Sequence, residues 1–460
     1  MTASHFVPAD DIRLAFSDAM SRMYRQEVPL YGDLLDIVST TNERVLAADP
    51  ALRAALSANG ELDRLNAERH GAIRVGTAAE LALMRRLFAV MGMVPVGYYD
   101  LAAAGLPVHS TAFRPIDNAA LSRCAFRIFC SLLRIDLIAD PALRDRAGEI
   151  LARRRIVTDG ALMMIERFEA EGGLMAEDAE AFVLEALETF RWHGEALVDH
   201  ATYRAFHDTH RLIADIVCFR GPHINHLTPR ALDIDAAQAE MVARGIRAKP
   251  LIEGPPRRDV PILLRQTSFQ ALEEPILFRE GDDAVQGAHT ARFGEIEQRG
   301  IALTPAGRAL YDEILADVEA ARADAGDYQA RLAAAFARFP DDLETIRRHG
   351  LAYFTYARSP ALGEGPLPAG SPEALVEAGH LVATPITYED FLPVSAAGIF
   401  RSNLSGAAES ELAAQSSQAG FEAALGASCL DPFGLYLDQE QDSLDALEKP
   451  IAEGAGTPAQ

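Results

Sequence analysis

With 460 residues, 49% of them hydrophobic and 24% charged, the chain has the composition of a folded globular protein and enough material for two or three subdomains. Its 43 Lys and Arg against 67 Asp and Glu give a formal net charge of −24, which repels nucleic-acid phosphates and anionic lipid at long range but leaves room for a small anion held by a few buried arginines. Four scattered cysteines without a CxxC pair, an acidic N-terminus and no run of about 18 apolar residues argue against a disulfide framework, a signal peptide and a membrane span. The expectation is a cytoplasmic protein with neither nucleic acid nor membrane as partner.

Residues 1–60 form a helical lead-in, with Ile12, Phe16 and Met20 and then Leu34, Leu35 and Ile37 at helical spacing. Across 61–138 the pattern changes. GAIRV reads as a strand and TAAELALMRRLFAVMG as a helix capped by Thr77 and closed by Gly92, while PVGYYDL, PVHSTAFRP and CAFRIFCSLL read as three further strands. Residues 139–213 return to helical spacing and read as an insertion. Residues 214–304 repeat the earlier order: VCFRGPHINHLT is extended, DIDAAQAEMVARGI helical, and IEGPP, VPILLRQTS, EPILF and ARFGEIEQRGIALT are strand candidates. Helices and strands over 305–404 complete the fold, and 405–460 is a C-terminal segment with a mobile tail.

Side chains an even number apart share a strand face, so His70 and Arg74 of ERHGAIR lie on one face, separated by about 13 Å at roughly 3.3 Å per residue. His223 and His226 are three apart and point to opposite sides of an extended segment. At most one of them joins a common site, and His226 matches His70 in opening its module. Glu295 and Glu297 of FGEIEQRG share a face and would repel each other unless a cation or an arginine compensates. Two imidazoles and a carboxylate from three strands make the facial triad that suits Fe(II), with His70, His226 and Glu295 as candidates. Each alone has a blander reading, since a single strand-end His usually serves a structural hydrogen bond and paired strand glutamates usually face solvent. HDTH at 207–210 lacks the glutamate of an HExxH site, and Cys218 in an apolar run reads as an inert thiol.

ERHGAIR, LFAVMGMVPVGYYDL, PHINHLTPR, LLRQTSFQAL and RFGEIEQRGIALTP together resemble the 2-oxoadipate dioxygenase/decarboxylase family, also called hydroxyglutarate synthases, over about residues 10 to 440. The resemblance implies an α+β fold of vicinal-oxygen-chelate-like βαβββ modules in a mixed curved sheet, with a helical insertion and additional helices. It implies that His70, His226 and Glu295 bind Fe(II), that Arg74 anchors a substrate carboxylate, and that Val394 and Ser395 of FLPVSAAGIF complete substrate recognition. The implied reaction converts a 2-oxo dicarboxylic acid, 2-oxoadipate, and O2 into 2-hydroxyglutarate and CO2 in lysine breakdown. Two other readings stay open: a non-redox lyase or isomerase using Zn2+ or Mn2+ with Glu297 as base, and a metal-stabilised binding protein without turnover.

Overall fold

The computed structural model describes residues 5–281, 283–320, 328–362, 367–392 and 418–448; Val394 and Ser395 lie outside them. The chain divides into two compact units, one of Met1–Gly254, Arg265–Gln298 and Asp390–Leu430, the other of Pro255–Leu264, Arg299–Glu389 and Asp431–Gln460.

The first unit opens with helices Ala9–Glu27, Pro29–Ala48 and Pro50–Ala58. Phe16, Met20, Met23 and Tyr24 fall on one stripe of the first and are at most 3% exposed. Proline occupies the first turn of the second and third, where no N–H is needed, and Asp49 Oδ1 caps the third by accepting from Leu52 N.

Next come β1 (Arg69–Val75), the helix Ala78–Ala89, β2 (Val94–Asp100), β3 (Val108–Arg114) and β4 (Arg127–Leu133). Thr77 caps the helix as its sequence predicts, accepting from Glu80 N at 3.1 Å. With β5 (His226–Pro229) the strands form one mixed sheet in the order β2-β3-β4-β1-β5, in which β1 runs parallel to β4 and antiparallel to β5. Ile73, Val75, Ile128, Cys130 and Leu132 alternate onto the face that packs into the main core, which sends His70 and Arg74 to the opposite face. Gly71 permits this packing, because a Cβ there would lie 2.6 Å from Ile224 Cδ1 and 3.2 Å from the His226 carbonyl oxygen. Residues 139–213 carry the helices Pro141–Arg153, Asp159–Glu171, Ala176–Leu187 and His200–Thr209, and Arg211–Val217 follows.

Beyond β5 the helix Ile234–Ala243 leads to β6 (Leu264–Ser268), a hairpin of β7 (Leu272–Glu280) and β8 (Asp283–Arg292), and β9 (Glu295–Arg299). β6 pairs with β9, and a parallel bridge from Arg230 to Glu297 brings β9 beside the end of β5. Three details differ from the sequence-based expectation. IEGPP makes only the bridge Glu253 to Gln266, since Pro255 and Pro256 have no N–H to donate. ARFGEIEQRG is two strands rather than one, broken at Phe293 and Gly294, where a Cβ on Gly294 would lie 2.4 Å from the Phe269 ring. Within VCFRGPHINHLT only the final residues form a strand, Val217 closing a helix.

The second unit contains the helices Pro305–Ala320, Tyr328–Phe336 and Pro432–Glu448 and the antiparallel pair β10 (Phe354–Arg358) and β11 (Leu381–Pro385). Arg258 ties it internally, its guanidinium donating to the carbonyls of Phe336, Phe339 and Pro340. No helix among the described residues is long and apolar enough to cross a membrane.

Candidate metal centre

The five-stranded sheet sets His70 and His226 on one face, and β9, from the separate β6–β9 pair, brings Glu295 to them. His70 stands at the start of β1, paired across to Thr228, and His226, which opens β5, lies opposite Ala72. Glu295 opens β9. One ligand atom from each of His70, His226 and Glu295 lies within 4.8 Å of the other two, and all three side chains are buried. No other group of three His, Cys, Asp or Glu converges in this way among the described residues.

His70 Nε2 lies 3.1 Å from Glu295 Oε1, and His226 Nε2 lies 3.8 Å from the same oxygen. Two ligands at right angles with bonds of 2.0–2.2 Å stand about 3 Å apart, so the His70–Glu295 spacing suits neighbouring ligands of one ion. Glu295 Oε1 also accepts from Thr228 Oγ1 at 3.0 Å and Gln266 Nε2 at 2.9 Å, which fixes the carboxylate plane. Glu295 Oε2 and His226 Nδ1 are buried without a hydrogen-bond partner among the described residues. A buried carboxylate oxygen left this way is costly unless a cation faces it, so the donor set fits a divalent metal.

Glu297 is a separate case from Glu295. Its Oε2 lies 2.9 Å from His70 Nδ1, on the far side of the ring from Glu295. A carboxylate there favours the proton on Nδ1 and leaves the Nε2 lone pair directed at Glu295, as in carboxylate–histidine–metal arrangements. Burial disfavours the charged imidazole of His70, but Glu297 and Glu295 together outweigh it and raise its pKa. His226 behaves oppositely: burial, only partly offset by Glu295, lowers its pKa to about 4 and keeps it neutral and able to ligate. Burial pushes the Glu295 carboxyl up, yet His226 and His70 bring it below its ordinary value. Aromatic rings form part of the wall, with the Phe391 ring centroid 5.0 Å from that of His70 and the Phe293 centroid 4.8 Å from that of His226.

Arg74, also buried, shares the face of His70, and its Nη1 donates to Asp215 Oδ2 at 2.5 Å. His223 does not join the trio; its Nε2 lies 3.2 Å from Asp215 Oδ1. His210 does not pair with His207: its Nδ1 accepts from Leu212 N at the start of the next helix. Cys218 is buried and its thiol pKa is pushed far up, first by burial. Sequence reasoning missed Gln266 and Thr228, which brace Glu295, and Lys249 with Glu253, whose side chains meet at 3.4 Å beside it. Lys249 had a signal, since it and Lys449 are the only lysines in a chain that otherwise uses arginine. Burial, with a further push from Glu295, raises Glu253 to about 7.

A sequence model of the family described as 2-oxoadipate dioxygenase/decarboxylase matches residues 16–403. A protein of that name from Pseudomonas putida is 54% identical over 464 residues, covering 99% of this chain and 100% of its own length. One from Escherichia coli is 56% identical over 441 residues, covering 95% and 98%. The crystal structure of the Pseudomonas putida hydroxyglutarate synthase in complex with 2-oxoadipate superposes with a TM-score of 0.89 at 52% identity, over 97% of this chain and 99% of that one.

Proposed function

Because the chain belongs to the 2-oxoadipate dioxygenase/decarboxylase family, we propose that it is an Fe(II)-dependent enzyme that converts 2-oxoadipate and O2 to 2-hydroxyglutarate and CO2, a step of lysine catabolism in the cytoplasm. The observation that carries this reading is the buried convergence of His70, His226 and Glu295. In it these three residues hold the iron, which when bound supplies Lewis acidity and one-electron chemistry towards O2 and a chelating 2-oxo acid. We also read the strand arrangement around the centre as vicinal-oxygen-chelate-like.

The remaining work falls to this chain's own groups. Glu297 holds the proton on His70 Nδ1, so that Nε2 stays a lone-pair donor. Thr228 and Gln266 donate to Glu295 Oε1, the oxygen that lies 3.1 Å from His70 Nε2 and 3.8 Å from His226 Nε2, and so hold the carboxylate in place beside both imidazoles. Phe391 and Phe293 exclude water, which favours internal reaction of the substrate chain over loss of reactive species to solvent. Arg74, on the His70 face, pairs with the distal carboxylate and sets the chain's direction, with Val394 and Ser395 completing recognition. A non-redox lyase with Glu297 as base fits less well, because that carboxylate is engaged with His70.

The test is to load the apoprotein with Fe(II) under argon, admit air with 2-oxoadipate, and follow O2 and CO2 together. Equal consumption and release without an added co-substrate or reductant is the expected result. Carbon dioxide release without oxygen uptake would move the protein to a non-oxidative decarboxylase.

A further inference from the structure

Behind Arg74 lies a buried polar cluster that the proposed chemistry does not use. Asp215 sits on the helix Arg211–Val217, whose neighbouring Leu212, Ile213, Ile216 and Val217 are buried apolar residues. Its Oδ2 accepts from Arg74 Nη1 at 2.5 Å, while its Oδ1 meets His289 Nε2 at 2.9 Å and His223 Nε2 at 3.2 Å. The ionised carboxylate can only accept, so His289 donates from Nε2 and its Nδ1 accepts from the Tyr203 hydroxyl at 3.0 Å. Trp192, the only tryptophan of the chain, lies edge-on to His223 at 4.7 Å and parallel to His289 at 6.2 Å. Arg292 covers Trp192 at 4.9 Å and is held by Glu27 and Glu274.

We propose that Asp215, held by His289 with His223 beside it, is the positioning residue that aims Arg74 at the distal carboxylate of a dicarboxylic 2-oxo acid. The inference rests on the reading of Arg74 as substrate anchor given above. Stability alone is a poor account of the cluster, because apolar side chains of similar volume hold a fold as well as a buried ion pair does. A second metal site is not its purpose either, since its ligand atoms do not converge as those of the trio do. An arginine has several rotatable bonds and, without a partner at its base, could present its fork at many distances from the iron. Asp215 takes one terminal nitrogen and is itself held from β8 and approached from the segment before β5, which restricts where the rest of the guanidinium can point.

The test compares wild type, Asp215→Asn, His289→Ala and His289→Gln, each iron-loaded, on 2-oxoadipate and on 2-oxohexanoate, which lacks the distal charge. Binding is read separately under argon from Trp192 fluorescence during titration with 2-oxoadipate, and bound iron is measured. Asp215→Asn should raise both KM and the fluorescence-derived Kd for 2-oxoadipate about tenfold or more, change kcat/KM for 2-oxohexanoate less than about twofold, and keep its iron. His289→Gln, which retains a donor towards Asp215, should lose less than His289→Ala, and this pair decides the matter if Asp215→Asn does not fold. An unchanged KM and Kd for 2-oxoadipate, or equal losses on the two substrates, would overturn the proposal. Wild type inactive on both acids would instead remove the functional reading, and this inference with it.

Discussion

The division of labour between the two glutamates of β9 is open to a direct test. Replacing Glu297 by Ala removes the carboxylate 2.9 Å from His70 Nδ1 but leaves all three proposed ligands in place. Loss of such an outer partner typically costs 10- to 100-fold in metal affinity, or about 1.4 to 2.7 kcal/mol. Glu297→Gln keeps an acceptor of the same shape without the charge and, with neutral hydrogen bonds roughly half as strong as charge-assisted ones, should lose only about 3- to 10-fold. Glu295→Ala deletes a ligand and the charge that faces the cation, and should weaken binding at least about a hundredfold. Competition between apoprotein and a chromophoric Fe(II) chelator under argon ranks the three variants. The pH profile gives a second reading. Because carboxylates raise the His70 pKa in the apoprotein, a proton competes with the metal there, and wild-type affinity falls as pH drops through that raised value. In Glu297→Gln the same fall should begin at lower pH. Should Glu297→Ala release as much iron as Glu295→Ala, or more, the two roles are reversed and the geometric argument fails.

Single replacement of His70, His226 or Glu295 by Ala should abolish oxygen uptake together with stoichiometric iron binding, and full activity in any one of them excludes that residue from the trio. Arg74→Lys and Arg74→Ala should retain iron but lose about 2 to 4 kcal/mol of transition-state stabilisation on 2-oxoadipate, with much less loss on 2-oxohexanoate; equal losses would show that Arg74 does not read the distal carboxylate. Glu253 has a folded pKa of about 7 against an ordinary 4.5, so the unfolded chain gives up this proton first and the apoprotein loses stability as pH rises from about 4.5 to 7. Glu253→Gln should therefore be more stable than wild type above pH 7, by on the order of 3 kcal/mol, with the difference vanishing near pH 4; denaturant melts of apoprotein across that range would expose a flat difference if burial of Glu253 were misjudged.

Local patterns made part of the candidate centre legible. His70 and Arg74 share a face because a strand alternates with period two, and Thr77 caps its helix because the side chain and spacing are local properties. His223 does lie apart from His226, but it precedes β5 rather than sharing its strand, so the alternation argued from sequence does not account for its position. What the sequence did not reveal depends on partners distant along the chain. The role of Glu297 becomes clear only when β9 lies beside β5 and its carboxylate meets the ring of a residue on β1. Asp215 is hidden in an apolar helix, and its partners His223, His289 and Arg74 come from three other segments. The β7–β8 hairpin, with its own two-stranded pairing, was equally invisible in a stretch read as separate strands. Val394 and Ser395 lie outside the described residues.

The order of the three proposed ligands along the chain bears on which ion would enter the centre during synthesis. His70 and His226 leave the ribosome first, and Glu295 follows 69 residues after His226, when about two-thirds of the chain has been made. At roughly 5–20 residues per second, that leaves an interval of about 3 to 14 s in which two imidazoles exist without their carboxylate. A pair of histidines alone favours copper or zinc over ferrous iron. For the proposed iron site, fidelity would depend on the two histidines staying apart until β9 arrives, and the pairing of β5 with β1 that joins them is four residues long.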